Sequence, residues 1–120
     1  MRHKRILWKS LDRDSLEYMV FQAVQSGFRA EAVIVDAESG VSYAIELDAN
    51  WHFRRLILTM TGEDRSLALR YDGTTWTDGE ETPLPHLSAA REIDISISPI
   101  TNTLPVRRLG LAVGESADIV

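Results

Sequence analysis

Apolar and polar residues alternate along most of this chain. Val41, Tyr43, Ile45 and Leu47 share one parity, and Ser42, Ala44, Glu46 and Asp48 share the other. A period of two predicts a half-buried β-strand. Glu38-Ser39-Gly40 punctuates the run before it, so residues 31–48 predict a hairpin. In WHFRRLILTM (51–60), Trp51 and Phe53 take one parity, while Leu56, Leu58 and Met60 take the other. The switch at Arg54-Arg55 predicts a bulge or a sharp twist. TGEDRS then turns the chain into LALRY. Asp72-Gly73 predicts a type I′ hairpin with TTW as its return strand, because that turn needs positive φ at both positions. Residues 79–90 carry two prolines and predict a loop with at most one helical turn. Ile93, Ile95 and Ile97 restore period two, and VRRLGLAVG (106–114) predicts one more strand beyond a polar turn. Residues 16–24 could also pass as a short amphipathic helix. Their aromatic and β-branched content, and that of 28–37, favours strands.

These elements predict a mainly β domain, a twisted antiparallel sheet with long hairpins and little helix. No repeat or linker divides the 120 residues, so one domain is expected. A sheet of this kind has an apolar face, and the sequence offers almost no helix to cover it. It must curl on itself, meet a second sheet, take a partner chain or wrap an apolar ligand.

Composition narrows the classes. The charge of −5 argues against nonspecific nucleic-acid binding, which relies on neutralising many phosphates. Cysteine is absent, which removes disulfide and thiol chemistry. The basic amino terminus contains only Ile6-Leu7-Trp8 as an apolar run, too short for a secretory or membrane-spanning segment. A soluble, cytoplasmic protein is the default expectation.

Familiar catalytic signatures are missing: no glycine-rich phosphate loop, nucleophile elbow or His-x-x-x-His pair occurs. His3, His52 and His86 are scattered without ligand spacing, so neither a metal nor a cofactor is expected. Asp94 sits between isoleucines. It reads either as a solvated edge-strand residue or as a pocket carboxylate facing Arg107 or Arg108. Strand geometry would send those arginines to opposite faces, with Arg107 inward beside Leu109, Leu111 and Val113, and Arg108 solvated. Arg54 and Arg55 beside Trp51 invite the same reading. Asn102, between Thr101 and Thr103, is most simply a turn residue bonded to its own backbone.

The run IDISISPITNTLPVRRL (93–109) resembles the signature of a bacterial group, the Putative glycolipid-binding family. ELDANWHFRR (46–55) is similar to its Asp-x-x-Trp segment, and DGTTW (72–76) to its Asp-Gly-x-Trp hairpin. Ser98 and Ile100 stand where the family usually has Thr and tends to have Phe. The resemblance implies a strongly curved antiparallel sheet, an unclosed barrel like that of the periplasmic lipoprotein carriers. It also implies further C-terminal strands beyond residues 1–120. The concave side would hold a lipid or glycolipid without catalysis. Asp48, Trp51, Arg54, Asp94, Thr101, Asn102, Arg107 and Arg108 are the motif positions implied to bind it. One alternative is a hydrolase or transferase using Asp94 with Arg54 or Arg107. Another is an interaction module that forms a homodimer through a sheet edge or its apolar face.

Overall fold

The computed structural model describes residues 3–118. Its strands are β1 His3–Lys9, β2 Leu16–Val24, β3 Gly27–Val35, β4 Gly40–Asp48, β5 Phe53–Met60, β6 Ser66–Tyr71 and β7 Trp76–Asp78. Each pairs antiparallel with the next, giving one seven-stranded meander in sequence order. β1 and β7 lie at its two edges, so this is a curved, unclosed sheet rather than a barrel. The expected β2 through β6 are present, and the return strand expected at TTW begins only at Trp76. β1, which the basic amino terminus did not suggest, is an additional edge strand.

Aspartates shape most of the turns. Asp36 Oδ1 accepts the backbone N–H groups of Glu38 and Ser39, and Asp72 Oδ1 those of Thr74 and Thr75. Asp48 and Asp78 do the same for Asn50 and His52, and for Glu80 and Thr82. An aspartate that bonds its own following backbone favours the turn over a continued strand. The Asp72-Gly73 hairpin therefore forms, but as a loop of residues 72–75. Only Gly73 in it has positive φ, which excludes the expected type I′ turn.

The bulge predicted at Arg54-Arg55 is present. Glu46 pairs with Arg55 and Leu47 with Phe53, leaving Arg54 as the extra residue. That insertion returns Phe53 and Leu56, which have opposite parity, to the same buried face. Gly27 serves a close approach: a Cβ there would meet the Leu47 carbonyl oxygen at 2.2 Å, so only glycine fits.

Two expected strands are absent. Residues 93–98 belong to no strand, and residues 100–109 form a helix, α1 Ile100–Leu109. Pro105 lies inside it, where proline removes a backbone donor and disfavours helix. Packing overrides that local preference. Ile100 and Leu104, one helical turn apart, face the sheet, and Leu104 is fully buried. Gly110, in the left-handed region at φ 64°, ends the helix, with its N–H on the Arg107 carbonyl.

The helix and the segment before it also supply the missing cover. Ile95, Ile100 and Leu104 join Met19, Tyr43, Ile45, Leu47, Phe53 and Leu56 in one core cluster on the inner face. The expectation of an uncovered apolar face is thus corrected. The chain folds its own residues into the trough, anchored by Trp76 Nε1–H donating to the Ala90 carbonyl at 3.2 Å.

Candidate functional site

The register of β1 to β3 aligns Trp8, Glu17 and Ile34 side by side on the inner face. Glu17 has the parity of Met19, so strand formation alone drives its carboxylate inward; it is 3% exposed. Two hydroxyls meet it. Tyr43 Oη–H donates to Glu17 Oε2 at 2.5 Å, and Ser98 Oγ–H donates to the same oxygen at 2.9 Å. Glu17 Oε1 is buried and has no hydrogen-bond partner. An orphaned carboxylate oxygen costs free energy, and such groups call for an explanation.

A cavity of about 350 Å³ lies against this cluster. Trp8, Glu17 and Ile34 form its sheet side, while Ser96, Ile97, Ser98, Pro99 and Asn102 form the opposite side. Lys9 at the end of β1, with Asp12 and Arg13 from the β1–β2 turn, adds to the rim. Burial pushes the Glu17 carboxyl above its ordinary value, opposed by the hydroxyl bonds from Tyr43 and Ser98. Burial, and then the bond to Glu17, push the Tyr43 phenol upward, so it remains a donor. Ionised, Glu17 offers Oε1 to a hydroxyl or amine donor; protonated, it becomes a donor itself. Beside it, Trp8 supplies a flat apolar wall.

The eight residues expected from the motif separate into several places. Asp48, at the β4–β5 turn, contacts Arg54 Nη2 at 2.8 Å and His52 Nδ1 at 3.2 Å. Burial raises the Asp48 carboxyl, but the N–H groups of His52 and Asn50 and the nearby charges outweigh it and hold the group low. Trp51 follows with φ 67°, an uncommon conformation for a bulky residue. Its indole stacks on Phe28 and Phe21, with centroids 4.6 and 5.4 Å away. Arg107 lies over the same indole, its guanidinium carbon 5.2 Å from the centroid.

Neither arginine of the pair meets Asp94. Thr101 Oγ1–H donates to Asp94 Oδ1 at 3.0 Å, and Thr101 Oγ1 accepts the Ile95 N–H. Arg108 instead pairs with Glu92; these side chains are 19% and 6% exposed. The expected inward Arg107 and solvated Arg108 are reversed, because successive helical residues diverge by about 100° rather than alternating across a strand. Asp94, Arg54 and Arg107 consequently have three separate sets of partners. Asn102 does not bond the turn as expected. Its side chain lines the cavity beside Glu17.

Glu17, Tyr43, Ser98 and Trp8 were not among the expected site residues. Parity did not mark Glu17, because Leu16, Tyr18, Val20 and Val24 make the opposite side of residues 16–24 just as apolar. Among the described residues no group of His, Asp and Glu side chains is arranged to hold a metal ion. No described helix is long and apolar enough to cross a membrane.

A family model described as "Putative glycolipid-binding" matches residues 5–120. The fold is similar to the crystal structure of a DUF1089 family protein from Pseudomonas aeruginosa, with 33% identity and a TM-score of 0.67. The match covers 90% of this chain and 63% of that one, so this chain spans less than two thirds of that protein's length. No curated protein matches the sequence.

Proposed function

The chain belongs to the Putative glycolipid-binding family, and from that premise we propose that it binds a glycolipid without turning it over. The sugar part lies in the cavity between β1–β3 and residues 96–102. The observation that carries this reading is the unpartnered Oε1 of the buried Glu17 in the wall of that cavity. A sugar hydroxyl would supply the missing donor, a favourable exchange for an already desolvated carboxylate. Trp8 offers a face to the apolar side of a pyranose ring. Asn102 offers both a donor and an acceptor. The volume suits a small polar headgroup rather than an entire lipid. The acyl part leaves the cavity past Ile97, an apolar lining residue that is 41% exposed.

Non-catalytic binding is supported by the dispersal of Asp94, Arg54 and Arg107. The test is titration with a short-chain glycolipid, followed by calorimetry, for wild type, Glu17→Gln and Asn102→Ala. Losing a hydrogen bond to a charged group weakens binding about tenfold or more, the effect expected of Glu17→Gln. Unchanged affinity in both variants would remove the cavity from the account.

A further inference from the structure

We propose that the outer face of the sheet is a docking surface for an anionic lipid bilayer. The inner face and its cavity are on the opposite side, and only Lys9, at the cavity rim, is common to both surfaces.

Strand register organises the outer face into rows. Leu7, Tyr18 and Val33 are direct cross-strand neighbours in one row. They are 66%, 44% and 46% exposed. Val20, Ala44 and Ile57 occupy the next row. A shallow groove of about 470 Å³ runs between the rows, where Tyr18, Val20, Val33, Ala44 and Ile57 meet Arg29, Glu31, Ser42 and Thr59. A contiguous apolar strip across several strands, exposed to this degree, marks an interaction surface.

Charge identifies the partner. The outward strand positions carry five cations, Arg5, Lys9, Arg29, Arg55 and Arg70, against three carboxylates, Glu31, Glu46 and Asp48. This positive face belongs to a chain whose total charge is −5. Glu31 and Glu46 are already engaged: Arg29 holds them at 2.6 and 2.7 Å, and Arg55 approaches Glu46 at 3.7 Å. Asp48 and Arg54 at the margin pair with each other. Arg5, Lys9 and Arg70 have no ion-pair partner among the described residues. Arg55 and Arg70 are moreover placed directly opposite each other, a like-charge pairing that destabilises a sheet. A surface anion relieves that repulsion.

An apolar strip bordered by cations matches a headgroup–acyl boundary, where side chains insert shallowly and basic residues meet anionic headgroups. Tyr18 suits that boundary because its ring is apolar and its hydroxyl polar. Bilayer docking would also put the protein where a membrane amphiphile can be collected.

The experiment is co-sedimentation with phosphatidylcholine vesicles prepared with and without phosphatidylglycerol, and free of any glycolipid. Wild type is expected to bind only the anionic vesicles, and less as salt rises. Arg5→Gln and Arg70→Gln should each lower partitioning about fivefold, while calorimetric glycolipid binding and the melting temperature stay unchanged. Val33→Ser should weaken binding as well. Equal binding to neutral vesicles, or no binding to either, overturns the proposal. So does a wild-type dimer that Val33→Glu splits, because the strip would then be covered by a second copy.

Discussion

Ser98 Oγ donates to Glu17 Oε2 at 2.9 Å across 81 residues of sequence. This buried bond ties β2 to the segment that leads into α1. It makes the inner segment a wall of the cavity as well as the cover of the core. Binding and folding are therefore coupled at Glu17.

The pH dependence of Glu17 follows from the sign of its shift. Burial raises its pKa above the ordinary 4.5, so the folded protein binds this proton more tightly than the unfolded chain. Its contribution to stability is greatest at low pH and declines as pH rises from 4.5 through the folded value. Glu17→Gln lacks that decline. Urea unfolding between pH 4 and 8 should show the variant gaining on wild type as pH rises. A gap that stays constant with pH would contradict a raised Glu17.

The turn aspartates predict the opposite trend at lower pH. Asp36, Asp72 and Asp78 are held below the ordinary 3.8, chiefly by backbone N–H groups, and Asp48 is also lowered. A lowered carboxyl contributes stability that is present above 3.8 and lost as pH falls through its folded value. Thermal melting should therefore deteriorate below about pH 4. Asp72→Asn, which keeps the turn acceptor but not the charge, should flatten part of that loss.

Leu104→Ala should destabilise the fold by about 3 kcal/mol, the usual cost of truncating a buried leucine. The side chain is fully buried between helix and sheet, so the variant should also loosen residues 93–109. Hydrogen exchange would show the loosening as faster exchange at Ile95 and Ser98, whose amides are bonded there.

The two arginines differ in what they leave behind. Arg108→Ala strands the mostly buried Glu92 and should cost about 3 kcal/mol in chemical denaturation. Arg107→Ala removes a cation from the exposed side of Trp51 and should cost about 1 kcal/mol or less. It should change tryptophan fluorescence more than it changes stability.

The strands were legible because their evidence is local. Parity alone aligns Val41, Tyr43, Ile45 and Leu47, and a change of parity marks the bulge at Arg54. The helix was not legible in that way. Asn102, Thr101 and Pro105 favour turns, and Ile93, Ile95 and Ile97 imitate a strand. The Ile100–Leu104 spacing and Gly110 fit a helix, but a core already built by other strands decides the outcome. The site suffered the same limitation. Glu17 was hidden because both sides of residues 16–24 are apolar, and Ser98 and Asn102 reach it only through the path of the inner segment. Arg107 and Arg108 were misplaced for one reason, the substitution of strand geometry for helix geometry.

The central claim is that a sugar headgroup sits between Trp8, Glu17 and residues 96–102. Its most direct measurement is a ¹H–¹⁵N NMR titration with an alkyl glycoside below its micelle concentration. Saturable shifts are predicted at the Trp8 indole N–H and at the Ser96, Ser98 and Asn102 amides, and they should weaken in Glu17→Gln. Shifts confined to the Trp51 and Arg107 end of the sheet, or none that saturate, would contradict it.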